Sequence, residues 1–124
     1  MAKQKTQPRT IDARQFALEC ARIANENKAE DVVVLDLRGR SSICDYFLIC
    51  TGTADRQMRT IADYIDECAA RSGQGRFNIS GYDQSSWILI DYVDVVVHIF
   101  NPDSRKYYDL ELLWGDAPRL ELPS

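Results

Sequence analysis

Trp87-Ile88-Leu89-Ile90-Asp91-Tyr92 and Val95-Val96-Val97-His98-Ile99-Phe100 are two strongly apolar runs separated only by Val93-Asp94. Their β-branched and aromatic content predicts strands, and the two-residue spacer predicts a hairpin. Any fold of this chain must therefore place an antiparallel pair against other elements that cover it. Side chains alternate along the first strand: Trp87, Leu89 and Asp91 share one face, and Ile88, Ile90 and Tyr92 share the other. Asp91 and Asp94 bracket the turn. Aromatic side chains beside carboxylates at a strand end suit an apolar anchor with an acidic rim, the anatomy of a protein-docking patch. The plainer alternative is that Trp87 and Tyr92 only cap the core of the sheet.

The rest of the chain supplies the cover. Residues 1–9 read as a flexible basic lead-in, and Thr10 is a plausible N-cap. Phe16, Ala17, Cys20, Ile23 and Ala24 recur at helical spacing, which predicts a helix to about Lys28. Val32 to Leu37 reads as a strand, 39–42 as a turn, and Tyr46 to Cys50 as its hairpin partner. Met58, Ile61, Ala62, Ile65, Cys68 and Ala69 keep helical period up to the stop at Gly73. Phe77 to Tyr82 reads as a short edge strand. Asn101 followed by Pro102 predicts a helix start, the helix running through Asp109 to Trp114, with a loose tail over 115–124. The 124 residues thus make one α/β domain over 10–114, a mixed five-stranded sheet with flanking helices in the order αββαβββα.

Charge narrows the partners. Lys3, Lys5 and Arg9 stand in a segment without acids, while the remainder of the chain holds 12 bases against 19 acids. From Asp83 onward there are three bases and eight acids. Such a domain is repelled by a phosphate backbone and favours a basic protein. No apolar run approaches the ~20 residues of a membrane span, and no charged-then-apolar leader opens the chain. The four cysteines show no CxxC pair and lie far from the single histidine, so they read as buried reduced thiols rather than metal ligands.

Two constellations carry enzymatic chemistry in principle. Asp109 and Glu111, two apart on a strand, would share a magnesium ion, and the turn Thr51-Gly52-Thr53 would offer amides to a phosphate. That is the alternative reading, a nucleotide-binding or nucleotidyltransferase enzyme. Against it, a helix begun at Asn101-Pro102 turns the two acids about 200° apart, and no lysine stands near the glycine turn. His98 is the one histidine available to a nucleophile, and it sits inside an apolar strand. No cofactor or metal site is expected.

The segment Asp36-Leu37-Arg38-Gly39-Arg40-Ser41-Ser42-Ile43-Cys44-Asp45-Tyr46-Phe47, followed by Ile49-Cys50-Thr51-Gly52-Thr53, resembles the N-terminal half of the ribosomal silencing factor (Iojap-related) family. Trp87 with 91–98, and Arg105-Lys106-Tyr107-Tyr108-Asp109-Leu110-Glu111-Leu112-Leu113-Trp114, resembles its C-terminal half. One departure is Val93, where the family usually has glycine. The resemblance implies a nucleotidyltransferase-like fold without the catalytic site. It also implies a translational repressor of the bacterial cytoplasm. Such a factor binds the large ribosomal subunit at its basic ribosomal protein fourteen and sterically blocks joining of the small subunit. By position it marks Trp87 and Tyr92 as anchors and Asp91, Asp94 and Tyr108 as further contacts. A homodimer off the ribosome is compatible with it.

Overall fold

The β-branched runs pair into one sheet whose strands are β1 (Glu30–Asp36), β2 (Tyr46–Thr51), β3 (Asn78–Ser80), β4 (Trp87–Asp91) and β5 (Val95–Phe100). They lie in the order β1-β2-β5-β4-β3, all antiparallel except the central β2–β5 pair. A computed structural model describes residues 8–122. Helices α1 (Ala13–Glu26) and α2 (Asp55–Arg71) cover one face, and α3 (Pro102–Tyr108) and α4 (Leu110–Leu113) stand against the other. The expected single α/β domain with its mixed five-stranded sheet is what the chain forms.

Strand alternation sorts the core into two clusters. Leu48, Ile88, Ile90, Val97 and Ile99 face α1 and α2, meeting Phe16, Cys20, Ile61 and Ile65. Both helices carry their apolar residues at three- and four-residue spacing, so each buries one stripe against the sheet. Leu35, Ile49, Val96 and Phe100 face the opposite way with Leu37 and Ala117. Every residue of β5 is buried, as befits a strand with neighbours on both edges and side chains taken up on both faces. All four cysteines are free and buried, and burial pushes the Cys50 thiol up to about 12.

Three local expectations need correction. Helix α1 is capped by Asp12, whose carboxylate accepts the Gln15 N–H at 2.9 Å, and not by Thr10. Thr10 instead donates its backbone N–H to Ser72. The helix predicted from Asn101 to Trp114 is broken in two at Asp109, which takes φ +43° and donates its N–H to the Arg105 carbonyl. A short polar side chain tolerates that left-handed cap, and the break lets Leu110 and Trp114 turn onto the second cluster. Nor are residues 116–120 part of a loose tail. Asp36 N–H bonds Pro118, Leu120 N–H bonds Val34, and Arg119 bridges Leu35, so this stretch lies along the free edge of β1. Residues 1–7, which hold most of the expected flexible segment, lie outside the described residues.

Candidate docking surface

The second sheet face is less fully covered than the first, and its aromatic residues collect where β4 begins and β5 ends. Trp87 and Phe100 are register partners there, with rings 5.1 Å apart. Tyr108, at the end of α3, lies 4.4 Å from the Trp87 ring, and Phe47 lies between His98 and Trp114. Trp87 is half-buried: its inner side packs, and the rest remains open.

His98 fixes this ring. The Trp87 indole N–H donates to His98 Nδ1 at 3.1 Å, so that nitrogen carries no proton and the neutral imidazole bears its hydrogen on Nε2. His98 Nε2 is itself buried without a hydrogen-bond partner among the described residues. Desolvation holds the imidazole pKa down at about 3, against an ordinary value of 6.5. The catalytic reading of His98 therefore has little support: neither ring nitrogen has a nucleophile beside it. The stability linkage has a definite sign. The unfolded chain takes up a proton near pH 6.5 and the folded chain does not, so folding is favoured above pH 6.5 and weakens as pH falls toward 3. Urea unfolding at pH 7 and pH 5 should differ by about 1–2 kcal/mol through this one histidine, and His98→Gln should remove most of the difference.

Beside this cluster the short helices expose apolar side chains. Tyr107 is 81% exposed, Leu112 77%, Leu113 72% and Tyr108 47%, and neither α3 nor α4 contains a buried residue. Sequence reasoning singled out Trp87 and Tyr108 but missed Tyr107, Leu112 and Leu113. The available signal was two adjacent apolar pairs, Tyr-Tyr and Leu-Leu, in helices too short to bury both members.

The other sequence-predicted contacts lie elsewhere. Asp91 pairs with Val96, four residues along β4 from Trp87, or roughly 13 Å at the usual strand rise. Tyr92 is a core residue: it is 1% exposed, stacks edge-on to Phe16 at 5.1 Å, and donates its hydroxyl to Asp66 at 2.8 Å. Burial, then Asp66, raises its phenol pKa. A side chain so enclosed has no surface to offer a partner, so Tyr92 serves the core and is not the expected docking anchor. Asp91 Oδ1 accepts the Val93 N–H at 2.8 Å, and Asp94 pairs with Arg9 at 2.9 Å. The Asp94 N–H bonds the Tyr92 carbonyl two residues back, and Val93 between them takes φ +75°. That is a γ-turn of positive φ, a strained conformation for a β-branched residue.

The parts of the alternative enzyme reading do not assemble. Glu111 accepts from Arg105 at 2.9 Å and from Arg119 at 3.2 Å, while Arg105 also donates to the Asp31 carbonyl and Thr51 Oγ1. Arg105 and Glu111 thus tie α4 to the ends of β1 and β2, and Asp109 serves as the joint between two helices. In the glycine turn, the Gly52 N–H bonds Phe100 and the Thr53 N–H bonds Gln57, so both amides are already engaged. Gly52 is needed for space, since a Cβ there would stand 2.4 Å from Met58 Cγ. Among the described residues no three His, Cys, Asp or Glu side chains are placed to hold a metal, and no helix is long and apolar enough to cross a membrane.

Comparison with known proteins matches this arrangement of elements. A ribosomal silencing factor of Halalkalibacterium halodurans is 48% identical over 98 residues, covering 79% of this chain and 84% of its own length. That of Bacillus subtilis is 45% identical over 102 residues, covering 82% and 86%. A crystal structure of a Chromobacterium violaceum protein superposes with a TM-score of 0.80 at 27% identity, covering 92% of both chains. The family described as ribosomal silencing factor during starvation matches residues 10–124, and this chain belongs to it.

Proposed function

We propose that this chain represses translation without chemistry of its own. It binds the large ribosomal subunit at ribosomal protein fourteen and occupies the face on which the small subunit docks, with the bacterial cytoplasm as its place of action. The observation that carries this reading is the exposed apolar surface of Tyr107, Tyr108, Leu112 and Leu113 around the half-buried Trp87, in a member of the silencing family. Half-buried and exposed aromatic side chains on short helices supply anchors at low entropic cost. The acidic C-terminal half steers toward a basic protein and away from rRNA, so added salt slows association.

Steric competition needs only an ordinary interface, roughly 1,200–2,000 Å² in total. The test is reassociation of purified subunits on a gradient with increasing amounts of the protein. The joined fraction is expected to fall as the protein saturates the large subunit. Full reassociation in the presence of a large excess would overturn the proposal.

A further inference from the structure

Three other large apolar side chains lie exposed at the hairpin end of the sheet, away from the Trp87 surface. Ile43, Phe77 and Val93 line one shallow groove together with Asp91. They come from three separate segments: the β1–β2 connection, the approach to β3 and the β4–β5 turn. Exposed apolar side chains gathered from separate segments suit a protein-interaction site. Val93 is an independent indication. It holds φ +75°, a conformation ordinarily left to glycine, yet its side chain goes largely to solvent and adds little to the core. Strain retained at an exposed side chain points to use of that side chain.

The rim is acidic in balance. Asp45, Asp91 and Asp94 gather here: the Asp45 N–H bonds the Asp94 carbonyl at 2.9 Å, and after burial all three carboxylates help raise the Cys44 thiol. Asp94 already seats the Arg9 guanidinium, while neither Asp45 nor Asp91 has a cation at ion-pair distance among the described residues. The adjacent β3 is the edge of the sheet, which leaves backbone donors and acceptors beside the groove.

We propose that this groove is a second docking site, separate from the surface assigned to the large subunit, and that it takes a short protein segment carrying Lys or Arg next to bulky apolar side chains. The apolar side chains enter between Ile43, Phe77 and Val93, and the cation meets Asp45 and Asp91. The two rim carboxylates without a paired cation, Asp45 and Asp91, disfavour nucleic acid. The inference goes beyond the ribosome-binding reading and does not depend on it.

The test pans a phage-displayed heptapeptide library on the full chain and titrates the recovered peptide, made synthetically, into wild type and variants. The recovered sequences are expected to hold a basic residue beside an aromatic or branched aliphatic one. Val93→Gly relieves the turn and removes the side chain, so it should melt several degrees higher while binding the peptide about fivefold or more weakly. Phe77→Ser should weaken binding similarly, and Asp91→Asn, which keeps the turn's acceptor, should weaken it most at low salt. Trp87→Ala should leave it unchanged. Failure to enrich any peptide, enrichment of peptides without a base, or binding retained by Val93→Gly and lost in Trp87→Ala would each overturn the proposal. Sedimentation showing that wild type self-associates and Val93→Gly does not would make a second copy the occupant, and would overturn the assigned partner class.

Discussion

Trp87→Ala is expected to weaken binding to the large ribosomal subunit about thirtyfold, and at least tenfold, with the fold retained. The magnitude follows from truncating an aromatic anchor, about 2 kcal/mol, in a surface where Tyr108 and Phe100 hold the ring and His98 receives its N–H. Trp87 is the first residue of β4 and only half-buried, so its loss leaves the α1–α2 core intact. Trp87→Phe separates two contributions: it keeps a stacked ring but loses the hydrogen bond, and should fall between wild type and alanine. Co-sedimentation at moderate salt reads the binding, and circular dichroism reads the fold. Undiminished co-sedimentation by a folded Trp87→Ala protein would remove Trp87 from the interface.

Tyr92 should behave in the opposite way. Tyr92→Ala empties a fully enclosed site against Phe16 and is expected to cost about 3–5 kcal/mol of stability, seen in urea unfolding. Tyr92→Phe removes only the hydroxyl and should cost about 1 kcal/mol, because Asp66 keeps its ion pair with Arg76 at 3.1 Å. Where the variants fold, ribosome binding should be near wild type. A folded Tyr92→Phe protein that binds as weakly as Trp87→Ala would make Tyr92 an anchor after all. The contrast is useful because the two aromatics are only five residues apart, Trp87 opening β4 and Tyr92 following its last residue.

Much of the fold was legible because its signals are local. The helical period of Phe16 to Ala24 and of Met58 to Ala69 and the β-branched runs are set by side chains a few residues apart, and each names its own element. Element ends were less legible. Whether Thr10 or Asp12 caps α1, and whether Asp109 continues a helix or breaks it, depends on contacts from Ser72, Leu110 and Trp114. The candidate site was half legible. Trp87 stood out by residue type and Tyr108 only through the family resemblance, whereas Asp91 and Asp94 stood out by charge and prove to be engaged with the Val93 N–H and with Arg9.

From its sequence alone the chain is one α/β domain, acidic in its C-terminal half, with family motifs in one collinear order broken only at Val93. Those properties reside in composition, periodicity and order along the chain. Which of two neighbouring aromatics faces a partner was decided only by the tertiary structure. The pleat sends Trp87 and Tyr92 to opposite faces, but it does not say which face two long helices will close and which two short ones will leave open. That choice is made by packing between elements remote in sequence, where α1 and α2 have stripes long enough to cover a sheet and α3 and α4 do not.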